Sequence, residues 1–185
     1  MKLVFRTMKL WAHVVILVAG VVQASPSFAQ SKAPASEQTE FSAEDAGLKR
    51  PVEIPEDVMA ILRNDDLVKN VLESEDLLPE KLPQSWFSAS VIHLSSGAQP
   101  DLIVVGEPPL SGANVANFWI FRATGSRYQV VMSAPAHDLS LLQSRHNGLR
   151  DIHLTSMSAA QINTSILHFD GTQYVLHRAK SEPIR

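Results

Sequence analysis

The spacing of apolar side chains changes twice along this chain, and each change predicts a different structure. Residues 14–22 (VVILVAGVV) form one uncharged apolar run. From residue 54 the apolar positions fall three and four apart: Val58, Ile61 and Leu62, then Leu67, Val68, Val71 and Leu72. That is the stripe of an amphipathic helix. Asn64-Asp65-Asp66 interrupts it and suits the cap of a second helix. Pro55, Glu56 and Asp57 mark the start of the first helix, and Leu77-Leu78-Pro79 ends the second. After Pro83 the pattern turns strand-like. Residues 87–94, 101–105, 117–123, 128–132, 151–155, 165–169 and 174–177 are short β-rich runs separated by Gly, Pro, Asn and Asp. Asn147-Gly148 and Asp170-Gly171 supply residues that tolerate positive φ in tight turns.

The strands repeat. Residues 117–130 (NFWIFRATGSRYQV) align without gaps on residues 163–176 (NTSILHFDGTQYVL), with Asn, Ile, Gly and Tyr identical. Upstream, DLIV (101–104) matches DIHL (151–154), so the first copy carries the longer loop. Each copy, residues 100–132 and 150–178, reads as a three-stranded meander that opens on an Asp and contains a Gly turn followed by a Tyr. The expected fold class is α+β: an N-terminal helical pair packed on a mainly antiparallel β-sheet or roll built from two blade-like three-stranded repeats. Two such units are too few to close a propeller.

PDLIVVG (100–106) and NGLRDI (147–152) resemble the Asp-initiated strands of FG-GAP-type blade repeats of extracytoplasmic binding and adhesion proteins. The resemblance implies an extracytoplasmic β-repeat. The Asp-rich calcium loop that many such repeats carry is missing here, so the resemblance implies no metal site, and it transfers no functional residue.

Composition adds a compartment. Lys2, Arg6 and Lys9 precede the apolar run, and Ser27 and Ala29 follow it at the small positions of a cleavage site. That order is a secretory signal peptide over residues 1–29, with translation starting at Met1 or Met8. The run is shorter than the roughly 18 apolar residues a membrane span needs. Residues 30–53 are rich in Ser, Ala, Glu, Gln and Pro, with Phe41 and Leu48 the only large apolar side chains before Val52, and are expected to form a flexible tether. Residues 54–185 are expected to form a single α+β domain. The expected address is the bacterial periplasm or the exterior, with no membrane insertion after cleavage. With no cysteine in the chain, neither disulfides nor a lipid anchor on a mature N-terminal Cys is available. Acids outnumber bases 19 to 16, against a nucleic-acid partner.

Candidate chemistry is sparse. There is no Gly-x-Ser-x-Gly elbow, no cysteine nucleophile and no phosphate-cradling glycine loop. Histidines 93, 137, 146, 153, 168 and 177 show no ligand spacing and read as ordinary half-exposed strand histidines, the alternative being that imidazoles from different strands converge on zinc. His153 aligns with Ile103 and His168 with Arg122, a pattern read as surface variation, so neither metal nor cofactor is expected. His137, Asp138 and Ser140 lie too close in one segment to line up as a triad. Asp101 and Asp151 are the best carboxylate pair, but their equivalent positions point to fixing turns rather than to acid–base chemistry. No catalytic residue is assigned. The loop 107–116 remains as a candidate recognition surface through Pro108, Pro109, Leu110 and Asn114. Trp119, aligned with Ser165, is either a binding hot spot or a core residue beneath the helical layer. The expected function is a non-enzymatic periplasmic binding module for an unknown protein or cell-envelope component, protein inhibitors included. The alternative is a cell-wall or carbohydrate hydrolase using scattered carboxylates.

Overall fold

The computed structural model describes residues 37–44, 48–97 and 99–184. The expected signal peptide, the tether up to residue 36 and residues 45–47 lie outside the described residues.

The described chain is α+β, mostly antiparallel strand. Two short strands, β1 (Glu40–Ser42) and β2 (Pro51–Val52), precede helices α1 (Glu56–Leu62) and α2 (Asp66–Ser74). Then follow β3 (Phe87–Ile92), β4 (Asp101–Gly106), β5 (Ala116–Thr124), β6 (Arg127–Ala136), β7 (Asp138–His146), β8 (Leu149–Met157), β9 (Gln161–Phe169) and β10 (Tyr174–Pro183). They build two five-stranded sheets rather than one roll. The first has the order β2-β3-β4-β5-β6 and the second β1-β7-β8-β9-β10.

The helices begin where the sequence offers caps. Asp65 accepts hydrogen bonds from the backbone N–H of Leu67 and Val68, two of the donors a helix start leaves unpaired. The same carboxylate accepts the indole N–H of Trp119 at 2.9 Å, which ties the helix start to β5. Val58, Met59 and Leu62 of α1 join Val68 and Leu72 of α2 in one buried cluster with Leu102, Val104, Trp119 and Phe121 of the first sheet. The opposite face of that sheet sends Ile103, Val105, Phe118, Ile120 and Val131 into a second cluster, shared with Leu139, Leu141, Ile152, Leu167 and Phe169 of the second sheet. Because the first sheet is covered on both sides, β4 is buried at every position, and its run of Leu-Ile-Val-Val shows no alternation. Among the described residues the second sheet is covered on one side only.

Corresponding registers occur in the two sheets. Leu102 faces Phe121 and Ile152 faces Leu167 across their ladders. Ala123 faces Tyr128, and Phe169 faces Tyr174. Both hairpins are also irregular at the same place: Phe121 pairs with Val130 and Ile120 with Met132, while Leu167 pairs with Leu176 and Ile166 with Arg178. One extra residue bulges out in each case, Val131 in the first sheet and His177 in the second. The sheets stack front to back. The face of the first sheet carrying Leu102 and Phe121 meets the helices, and the aligned face of the second, carrying Ile152 and Leu167, meets the first sheet.

Two expectations are corrected. Part of the presumed tether is built into the fold, since β1 pairs with β7 and β2 with β3. Phe41 is 3% exposed in the inter-sheet core, and one apolar side chain among polar neighbours suffices because the open edge of β7 accepts the strand. The second is β7 (Asp138–His146), which is not among the β-rich runs that the sequence predicts. Its second half, Gln143 to His146, is polar and exposed and hides the period of two.

Candidate functional site

The loop 107–116 divides its residues between surface and core. Pro108 and Pro109 are exposed and joined by a cis peptide bond, and Asn114 is exposed. Leu110 is buried against the helical side of the first sheet, and the Asn117 side chain donates to its carbonyl at 2.7 Å. Trp119 is 1% exposed and packs edge-on against Phe87 at 5.8 Å. Its buried indole N–H already has a partner in Asp65, so Trp119 and Leu110 belong to the core and present nothing to a ligand. Beside the loop, Phe41, Leu48, Val105 and Ala116 line a small cavity rimmed by Glu107 and Ser111.

The carboxylates Asp101 and Asp151 do not meet. Asp101 is buried between the sheets' ladders and accepts from the backbone N–H of Leu94 at 2.9 Å and of Ala123 at 3.0 Å. It closes the turn before β4, the role expected of both aspartates, whereas the Asp151 carboxylate meets the side chains of His146 and His168. Ile152 points into the inter-sheet core, so its neighbour Asp151 faces the opposite, uncovered side of the second sheet. His137 is buried, with its Nδ1 against the Asn114 carbonyl at 3.2 Å, and its Nε2 lies 3.9 Å from Asp138. That arrangement has no aligned nucleophile.

On the uncovered side of the second sheet the structure gathers groups that the sequence reading scattered. His146 ends β7, Asp151 lies in β8, His168 in β9, and His177 is the bulged residue of β10. His146 Nδ1 is 2.7 Å from Asp151 Oδ1, and His168 Nε2 is 3.7 Å from Asp151 Oδ2. The rings stack, His146 on His168 at 3.4 Å between centroids and His168 on His177 at 3.8 Å. Donor atoms of His146, Asp151 and His168 all lie within 4.8 Å of one another. The turn between β7 and β8 is tied to β9. Asn147 and Gly148 both take positive φ, 46° and 83°, and the Asn147 side chain donates to the Phe169 carbonyl at 2.7 Å.

Exposure is graded across the cluster. The Asp151 side chain is 2% exposed, His168 17% and His146 47%. Burial acts to raise the Asp151 carboxyl, but hydrogen bonds from Ser144 and His146 and the neighbouring histidines outweigh it and leave the group below its ordinary range. For His168, burial lowers the imidazole, helped by His146 and His177 and opposed by Asp151; the net direction is down. A ring held this way offers a free nitrogen lone pair at neutral pH.

The structure thus stacks His146, His168 and His177 beside Asp151, a juxtaposition that their spacing along the chain does not show. The missed signal was arithmetic. The Asn147-Gly148 hairpin sets His146 and Asp151 side by side, and the register that pairs Leu102 with Phe121 carries Asp151 next to His168. No protein-family model, curated protein or solved structure matches the chain.

Proposed function

We propose that this chain is an exported, non-enzymatic binding module built by duplication of a β-meander. In this reading residues 1–29 are a signal peptide, and the module works in the periplasm or outside the cell on a protein or cell-envelope component. The observation that carries it is the separation of Asp101 and Asp151. One is consumed by backbone N–H groups inside the first sheet, and the other faces away on the outer side of the second. A glycoside hydrolase needs two carboxyl groups flanking a single bond, about 5–9.5 Å apart around one cleft. Here a layer of sheet stands between them.

The duplication rests on the shared registers, the shared bulge and the front-to-back stacking, which is how successive blades pack. The resemblance to FG-GAP-type blades belongs to the same reading. The cavity beside the loop 107–116, with its Phe41 and Leu48 lining and the exposed Pro108, Pro109 and Asn114 at the loop, is the recognition surface. Photo-crosslinkers placed at Pro109 and at Asn114 in producing bacteria test it. A discrete adduct from these positions, absent with a crosslinker at Glu75 on the far side of α2, is the expected result. Release of sugars from cell-wall or glycan substrates by the purified protein, lost in Asp101→Asn or Asp151→Asn, would overturn it.

A further inference from the structure

We propose that His146, Asp151 and His168, with His177 as fourth donor, hold one divalent transition-metal ion on the uncovered face of the second sheet. The donors come from four neighbouring strands, so the sheet fixes their backbones before any ion arrives. Three of them already have their donor atoms within 4.8 Å of one another. Ligand atoms of a tetrahedral zinc site lie about 3.3–3.4 Å apart, as bonds of about 2.0–2.1 Å require. The remaining distance, about 1.4 Å at most, is closed by side-chain rotation, available to the half-exposed His146 and the exposed His177. Imidazole nitrogens with one carboxylate suit zinc, copper or nickel, whereas calcium and magnesium require shells of oxygen.

The two sheets supply an internal comparison. Asp101 holds the same ladder position as Asp151, yet both of its oxygens are taken by backbone N–H groups. Where the second sheet carries His168 and His177, the first carries Arg122 and Val131. Val131 packs into the inter-sheet core, and Arg122 lies over the Phe169 ring at 5.5 Å. The positions that glue one sheet to the next in the first copy are thus replaced, in the last sheet, by imidazoles around a carboxylate whose oxygens face them. The β10 bulge contributes as well, because it brings the His177 ring over His168.

Calorimetric titration of the EDTA-treated, desalted protein with zinc chloride, and separately with calcium and magnesium chloride, tests the site. Zinc should bind with one equivalent, and calcium and magnesium should not. His146→Ala and His168→Ala should each weaken zinc by about 100-fold, and His177→Ala by about tenfold. His153→Ala, elsewhere in β8, should leave it unchanged. Circular dichroism confirms that each variant is folded. His146→Ala, at the exposed end of β7, keeps the test valid if His168→Ala does not fold. Absence of zinc binding, unchanged affinity in folded His146→Ala, or preference for calcium overturns the proposal.

Discussion

Asp65 holds three donors at once: two backbone N–H groups at the start of α2 and the indole N–H of Trp119. Its replacement by Ala removes a cap and strands a buried donor, so Asp65→Ala should cost about 2–3 kcal/mol in urea unfolding. Asp66→Ala, one residue on, with a side chain 99% exposed, should stay within about 0.5 kcal/mol. Tyr174 makes a second point at this scale. Its hydroxyl donates to the Arg150 carbonyl at 2.7 Å, and burial, with Asp101 and Asp151 nearby, pushes its ionisation well up. The stability linked to a raised group is fully present below the unfolded value, about pH 10, and is lost as pH climbs through the folded value. Stability should therefore fall from about pH 10 upward. Tyr174→Phe should flatten that fall more than Tyr128→Phe, because Tyr128 is only half buried. Alkaline unfolding curves of the two variants check this.

Among the elements, β1 is the most exacting. Three residues pair with β7, and Phe41 sits in the core between the sheets. Phe41→Ala should cost about 3–5 kcal/mol in the same unfolding measurement; a mobile tether would register nothing. That contrast shows what local pattern conveys. Helices α1 and α2 could be read from Val58, Leu62, Val68 and Leu72 because their spacing is internal to each helix. The hairpins at Gly125 and Gly171 could be read because positive φ is a local need. β1 could not, since its partner lies a hundred residues away and polar flanks give it no period. The imidazole cluster was hidden for the same reason: its members come from four strands, and no stretch of chain contains them together. Trp119 was readable only as a choice between surface and core, and the Asp65 carboxylate decides it.

Across the described residues, helices, first sheet and second sheet form three layers, and the central strands of the middle one are covered on both faces. A chain lacking residues 54–82 would uncover Leu102, Val104, Trp119 and Phe121 together. It should bind the dye ANS and aggregate, whereas the full chain should do neither. The topology also orders events in time. Residues 51–136 contain every strand of the first sheet and both helices, so that half can assemble from chain already made. Phe41 cannot pair with Leu139 until the ribosome has passed β7, although β1 is the earliest of these elements to appear. The earliest of these strands is thus among the last to dock. Mutations in β1 should leave the folding rate nearly unchanged and accelerate unfolding, the kinetic signature of a latch that closes after the barrier has been crossed.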